Sequence, residues 1–279
     1  MHPSIPPFVI PLGPLTVTGF GIMMMVGFLV GGWLADRSLR RRGLNVDYAA
    51  DLVVAAVVGG VIGAKLWYVG LYGLDTLFDR GGLVWYGGFI GGAVAVIFTG
   101  WRHKVPMRLT AQVVAPALAA GHALGRVGCF MVGDDYGIPT DGFWGVKFPQ
   151  GLPPTTVAGL SQFGVSVPEG LDPTTVLAVH PTQLYEVALL TLAFMILWKL
   201  QAKAWGTGWL LGLYLVLAGT ERFVVEFVRA KDDRFFGALT LAQLTSLGLI
   251  VVGLMVIQAL RNRPDVAPGE YLSRRPAPK

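Results

Sequence analysis

The chain has 279 residues, of which 53% are hydrophobic and only 14% charged, and its mean hydropathy is +0.59. A water-soluble domain carries roughly 25% charged residues, so this composition excludes an ordinary soluble fold and points to a chain that lives in lipid. The net charge of +5 and a pI near 9.4 are what basic cytoplasmic loops give a membrane protein, so they do not argue for nucleic acid as a partner.

Apolar runs of about 20 residues, the length that crosses a bilayer, set the predicted elements. In chain order they predict seven transmembrane helices, at about 17–36, 48–72, 83–101, 110–132, 183–200, 207–229 and 238–260. No Lys or Arg precedes the first run, so it lacks the basic start of a signal peptide and reads as a span. The fold class is therefore all-α and polytopic. Residues 1–260 read as a single seven-helix membrane domain with one long connection, 133–182, rich in Pro, Gly and Thr. Residues 261–279 read as a polar, basic tail expected to be mobile.

Basic residues set the orientation, because they collect on the cytoplasmic side. One set of connections holds fourteen of the 22 Lys and Arg, beginning with Arg37, Arg40, Arg41 and Arg42 and ending with Arg274, Arg275 and Lys279. The opposite set holds four: Arg80, Lys147, Lys231 and Arg234. This places the N-terminus outside, the C-terminus in the cytoplasm and the connection 133–182 outside. The remaining four, Lys65, Arg126, Arg222 and Arg229, fall within or at the edge of predicted helices. A charge at a helix centre costs about 2.5–3.5 kcal/mol on insertion scales, so such residues face the bundle interior or a watery cavity.

Helix six carries Arg222, Glu226 and Arg229 at spacings of four and three, on one helical face. Two readings fit: an internal salt bridge that locks helices, or an anion site in which two arginines outnumber one carboxylate. Arginine's planar fork suits phosphate. Helix four ends in the glycine-punctuated stretch Gly125–Gly137, which contains Arg126, Cys129, Asp134 and Asp135. Either glycines simply end the helix there, or the bend lets a ligand approach the backbone. By direction of travel, helices four and six reach the outer face at these residues, so Arg126 and Arg222 converge on one side. His180-Pro181-Thr182-Gln183-Leu184-Tyr185-Glu186 opens helix five from that same side, with His180 as a base or ligand and Thr182 as a cap. His122, one turn before Arg126, reads as a structural hydrogen-bonder. Gly59 with Gly63, Gly87 with Gly91 and Gly88 with Gly92 are GxxxG pairs that predict close packing of helices two and three. Tyr86 falls at the outer boundary, where an interfacial tyrosine is expected. The single Cys129 excludes an internal disulfide and a cysteine-rich metal site; beside Arg126 it is either an inert buried thiol or an activated one.

Taken together, these segments resemble the prolipoprotein diacylglyceryl transferase family. Gly125–Gly137 is similar to its signature G-R-x-G-N-F-x-N-x-E-x-x-G, and Tyr86–Gly91 to its HGGLIG. His180–Glu186 is similar to HPSQLYE, and Arg222–Arg229 to RFxxEFxR. With Gly63–Tyr68, the matches run in family order across most of the seven helices. The resemblance implies transfer of a diacylglyceryl group from phosphatidylglycerol to the lipobox cysteine of a preprolipoprotein signal peptide, in the bacterial inner membrane, with no metal or cofactor. It implies that Arg126 binds the lipid phosphate, that Arg222 stabilises the leaving phosphate and that Glu226 holds Arg222. The catalytic set is then Arg222, Tyr86, Glu226 and Asp134, and the substrate-binding set Arg126, Arg229, His180, Gly137 and Cys129. The departures from the family that bear on the chemistry are that Cys129 replaces its Asn, Asp134, with Asp135 added beside it, replaces its Glu, and Tyr86 replaces the histidine of HGGLIG. A tyrosine, with a reference pKa near 10, is a poor base at neutral pH but can donate a hydrogen bond to phosphate. The thiol proton then leaves by another route, through Asp134, Asp135 or His180, or the substrate has changed. The alternatives are a divergent relative that serves another acceptor or only binds anionic phospholipid, and a transporter or scaffold. A transporter would show paired broken helices at the midplane rather than polar groups near one face.

Overall fold

The structure, a computed structural model, describes residues 2–12, 15–78, 82–202, 207–230, 234–236 and 239–273. Arg80, Lys203, Lys231, Arg274, Arg275 and Lys279, which entered the charge count above, lie outside the described residues. The described residues are mostly helical: α1 (Gly19–Arg41), α2 (Asp47–Tyr72), α3 (Trp85–Arg102), α4 (Met107–Val132), α5 (Val157–Gln162), α6 (Thr182–Leu200), α7 (Trp209–Val225), α8 (Leu241–Leu260) and α9 (Gly269–Ser273). Two short antiparallel pairs accompany them, β1 (Val9–Leu12) with β2 (Leu15–Thr18) and β3 (Arg234–Phe236) with β4 (Leu239–Thr240).

Helices α1, α2, α4, α6 and α8 are long and apolar enough to cross a membrane. The other two predicted spans are also helical, but α3 has only 18 residues with Trp85, Tyr86 and Arg102 at its ends, and α7 has 17. Several ends move from their predicted places for local reasons. Val17 and Thr18 are taken by the β1–β2 hairpin, with Val9 opposite Thr18, so the first helix starts later and runs on to Arg41. The last long helix starts at Leu241 because Thr240 caps it: the Gln243 N–H donates to Thr240 Oγ1 at 3.1 Å, and the Thr240 N–H donates to Gln243 Oε1 at 3.1 Å. This is a reciprocal capping box. α7 stops at Val225 and tightens into a 3-10 turn over Glu226–Val228, after which Arg229 is extended.

The outward surface of these helices is apolar. Val54, Val58, Val61, Ile62 and Leu66 of α2 are exposed, as are Phe89, Val94, Ile97 and Phe98 of α3 and Leu254 and Met255 of α8. Glu186, Glu221 and Glu226 are buried instead. Water would drive the opposite arrangement; hydrocarbon, which cannot solvate a carboxylate, dictates this one.

The chain divides into two compact units. The first comprises Met1–Gly27, Leu118–Ala202 and Gly212–Ile257. In it the connection 133–182 folds around a core of Tyr136, Val146, Phe148, Leu160 and Val179. The N-terminal segment is stitched to that connection: Ile5 N–H donates to the Lys147 carbonyl and Lys147 N–H to the Pro3 carbonyl, both at 2.9 Å. Thr156 caps α5 by accepting from the Gly159 N–H at 3.1 Å. These hydrogen bonds all lie within this unit and satisfy backbone groups of the connection that would otherwise be left unpaired.

The second unit comprises Phe28–Ala117, Lys203–Leu211 and Gln258–Lys279. Here α2 and α3 pack through glycines as the GxxxG spacing predicts. A Cβ on Gly63 would overlap the Gly87 carbonyl, and one on Gly91 would overlap that of Gly59. The tail does not behave as expected. Leu272 of α9 is fully buried in a core with Leu39, Tyr48, Leu52 and Leu109. Tyr271 donates to Asp51 at 2.5 Å and stacks on His103 at 4.0 Å, and Arg108 donates to the Pro264 carbonyl at 3.2 Å. An apolar anchor and these polar ties hold a segment whose composition alone reads as mobile.

Candidate functional site

All charged groups of the site belong to the first unit. Arg126 sits on the last turns of α4, Asp135 just beyond that helix, Glu186 near the start of α6, Arg222 near the end of α7, Glu226 in the 3-10 turn and Arg229 directly after it. Thr182 and Gln183 of α6 fix the loop that carries Asp135. Thr182 Oγ1 donates to the Asp135 carbonyl at 2.7 Å, and Gln183 Nε2 donates to the Asp134 carbonyl at 2.6 Å. Asp135 itself has φ 60°, a left-handed conformation that aspartate tolerates better than most residues.

The six charges close a ring in which cations and anions alternate. Arg126 Nη1 donates to Asp135 Oδ2 at 2.7 Å, and Arg229 Nη2 donates to Asp135 Oδ1. Arg229 Nη1 lies 3.7 Å from Glu226 Oε2, and Arg222 Nη2 lies 2.8 Å from the same oxygen. Arg222 Nη1 lies 3.7 Å from Glu186 Oε1, and Glu186 Oε2 lies 3.2 Å from Arg126 Nε. Glu226 is held from a further side by Thr240 Oγ1, which donates to Oε1 at 3.0 Å. The Glu186 side chain is 2% exposed, whereas those of Arg222 and Asp135 are 22% and 29% exposed, so the ring is buried at its glutamates and more open at Arg222 and Asp135. One donor stands apart: the buried Arg222 Nη1 makes no hydrogen bond among the described residues.

The ring unites four predicted residues: Arg126, Arg222, Glu226 and Arg229. It also corrects the charge argument. The expected surplus of positive charge is cancelled, because Asp135 and Glu186 join Glu226 against the three arginines. Both were visible in the quoted motifs, but Glu186 received no role and Asp135 only that of one proton route among three. Weighing carboxylates inside predicted spans, as was done for basic residues, would have singled out Glu186.

The remaining predicted residues are placed as follows. The Asp134 side chain is in no ion pair of the ring, and its backbone serves the loop instead. Burial, and then the adjacent Asp135 charge, raise its carboxyl above the usual range. Burial alone would raise Asp135 as well, but Arg229 and Arg126 outweigh it and hold that carboxyl down at about 2. His180 Nδ1 lies 3.1 Å from the Tyr185 hydroxyl and receives a 3.4 Å hydrogen bond from Trp144 Nε1; burial lowers its pKa. Gly137 N–H donates to the His180 carbonyl at 2.8 Å, and a Cβ there would meet His180 and Thr182 at 2.8 Å. That glycine lets the loop after Asp135 pass between Val228 and His180, which aligns the ring. Cys129 is buried, and its carbonyl accepts from the Asp134 N–H at 3.0 Å. Tyr86 belongs to the second unit, on the first turn of α3, where the residue is 61% exposed and its ring packs edge-on to Trp85. Lys65 of α2 lies over the Tyr68 ring at 5.2 Å. His122 does not act as the expected hydrogen-bonder: its buried Nδ1 has no partner among the described residues.

Comparison with known proteins agrees with the resemblance read from the motifs. The family model described as prolipoprotein diacylglyceryl transferase matches residues 7–259. A phosphatidylglycerol–prolipoprotein diacylglyceryl transferase of Stenotrophomonas maltophilia is 36% identical, over 95% of both chains. Proteins of the same description from Vibrio cholerae and Nitratidesulfovibrio vulgaris are each 32% identical, the first over 91% of both chains and the second over 92% of this chain and 95% of its own. With its apolar, outward-facing helices and its buried arginine–carboxylate ring, this multi-pass membrane protein belongs to the prolipoprotein diacylglyceryl transferase family.

Proposed function

We propose that the chain transfers the diacylglyceryl group of phosphatidylglycerol to the lipobox cysteine of prolipoproteins, at the outer face of the bacterial inner membrane. In this reading α3 and α7 span the bilayer with the five longer helices, the N-terminus is outside, residues 1–260 act as one membrane domain and 261–279 face the cytoplasm. The thiolate attacks a glyceryl carbon, the carbon–oxygen bond to phosphate breaks, and glycerol phosphate leaves. Negative charge grows on that phosphate in the transition state, so donors aimed at it accelerate the step.

The observation that carries the reading is the Arg222 guanidinium. Glu226 orients it at 2.8 Å, yet its Nη1 is a buried donor without a hydrogen bond and is 3.7 Å from the nearest carboxylate. An unsatisfied buried donor costs stability, and a phosphate oxygen is the acceptor that the reaction brings. Arg126 and Arg229 complete the phosphate cradle, with Asp135 holding both. Gly137 shapes the loop, while His180 and Cys129 line the same end of α4 and α6. Tyr86 supplies a hydroxyl donor rather than a base.

The test is complementation. The protein is expressed in cells depleted of their own transferase, and diacylglyceryl attachment to a lipobox reporter is followed. Attachment that is lost in Arg222→Ala at unchanged membrane abundance is the expected result. A wild-type protein that reaches the membrane and leaves the reporter unmodified would overturn the transfer reaction.

A further inference from the structure

The reaction releases a proton from the acceptor thiol, and the ring does not offer a good place for it. Asp135 and Glu226 each contact two arginines, as does Glu186. These three carboxylates already serve as counter-ions to the arginines, so taking a proton there would break the charge balance of the ring. Tyr86, in place of the family's histidine, is a poor base at neutral pH.

Glu221 differs from all of these. It lies on α7 directly before Arg222, is only 5% exposed, and both its carboxylate oxygens are buried without a hydrogen-bond partner among the described residues. It takes part in none of the ion pairs of the ring. Glu186 from α6, Arg126 from α4 and Arg222 on its own helix are the charged groups that face it, and Tyr214 lies two turns earlier on α7. The orphaned His122 Nδ1 faces the same two arginines from α4. A buried carboxyl group with no hydrogen-bond donor and no ion pair is costly, and such a group in a native protein calls for an explanation.

We propose that Glu221 is the group that takes the proton from the acceptor thiol. The assignment rests on the transfer reading above. The S–H proton passes to a Glu221 carboxylate oxygen as sulfur bonds to the glyceryl carbon. The electron pair of the broken carbon–oxygen bond stays on the phosphate, which the arginines hold. The Glu221 proton then passes to the departing phosphate monoester, which restores the carboxylate. The position beside Arg222 puts acid–base chemistry and phosphate binding on adjacent residues of one helix. Unlike the ring carboxylates it is in no ion pair among the described residues, so its oxygens are not already committed to an arginine.

The experiment compares two acceptor peptides, one with the lipobox cysteine and one with selenocysteine at the same place. A selenol ionises at neutral pH without a base. Glu221→Gln keeps the side-chain shape and removes the base. It is expected to lower kcat for the cysteine peptide by about 10²-fold or more, as loss of a general base does, with KM for phosphatidylglycerol unchanged. The selenocysteine peptide is expected to react within a few-fold of the wild-type rate. Equal losses with both peptides would show a merely structural role and overturn the assignment, as would full activity of the variant on the cysteine peptide. Should the amide prevent accumulation in the membrane, Glu221→Asp carries the same comparison: it is expected to slow the cysteine peptide more than the selenocysteine peptide, and equal slowing overturns the assignment. A wild-type protein that modifies neither peptide overturns the transfer reading itself, which separates the two failures.

Discussion

Substituting Glu186 by glutamine tests whether the ring holds the helices together. Glu186 is the link between α4 and α7, at 3.2 Å from Arg126 and 3.7 Å from Arg222, and its side chain is 2% exposed. The amide fills the same space but carries no charge, so both arginines lose a shared counter-ion in a place that water barely reaches. Removing one partner of a buried ion pair costs about 3–5 kcal/mol, because the other is left uncompensated. The 3.7 Å contact is long and Arg222 keeps Glu226, so the lower end of that range, about 3 kcal/mol, is expected. For a chain of this size that corresponds to a fall of about 6–12 °C in the midpoint of thermal unfolding. The assay is thermal unfolding of the purified protein in one fixed detergent or nanodisc, followed by near-ultraviolet circular dichroism. Asp135→Asn should give a loss of similar size, and the double variant should lose less than the sum, because both residues share Arg126 in one network. An unchanged midpoint for Glu186→Gln, or strict additivity with Asp135→Asn, would refute the idea that the six charges act as one closed ring.

Three further outcomes follow from the same geometry. Arg126→Lys should lose transfer by about 10²-fold or more, since a single ammonium cannot meet Asp135 and Glu186 from two sides as the planar guanidinium does; near wild-type transfer by the lysine variant in a lipobox reporter assay would contradict this. Asp135, held down at about 2, contributes stability that is fully present above the ordinary carboxylate pKa near 4 and is lost as pH falls through about 2. The difference in unfolding midpoint between wild type and Asp135→Asn should therefore be constant from pH 7 to pH 5 and shrink below about 4; a difference that already shrinks between pH 7 and 5 would assign the contribution to another group. Leu272→Ala should cost about 2–5 kcal/mol, as loss of a fully buried leucine does, while leaving transfer intact when measured well below the new midpoint; an unchanged midpoint would mean that α9 is not an anchor.

Different physical signals made different parts of the molecule legible from sequence. Helices were readable because hydrocarbon demands long apolar runs, and all seven predicted segments are helical over most of their length. Their ends were not, because these depend on single hydrogen bonds such as the Thr240–Gln243 box, or on a change of helical type such as the tightening at Glu226. Arg126, Arg222, Glu226 and Arg229 stood out as charges in an apolar background. The choice between Asp134 and Asp135 did not, since adjacent carboxylates are equivalent in sequence and only the backbone turn at Asp135 aims one of them at two arginines. The anchored tail was invisible for a similar reason: one leucine in a polar segment carries no period, and its importance comes from the core it enters.

On the proposed function, the ring bears on how a phosphodiester is admitted. Three arginines balanced by three carboxylates form no standing anion trap, so an entering phosphate has to take over a donor that a carboxylate does not fully use. Arg126 has little to give, with Asp135 at 2.7 Å and Glu186 at 3.2 Å. Arg229 is hydrogen-bonded to Asp135 and contacts Glu226 as well. Arg222 keeps one nitrogen in an ion pair with Glu226 at 2.8 Å, and its other terminal nitrogen makes no hydrogen bond among the described residues, on a side chain that is 22% exposed. Phosphate can therefore bind at Arg222 without first breaking a short ion pair, and Glu226 keeps the guanidinium oriented while it does. The proposed roles divide accordingly: Asp135 holds Arg126 and Arg229 in the cradle around the phosphate, and Arg222 meets the charge that develops. Neutrality of the ring at rest is then an advantage in a lipid environment, because its six charges cancel and leave no net charge to desolvate.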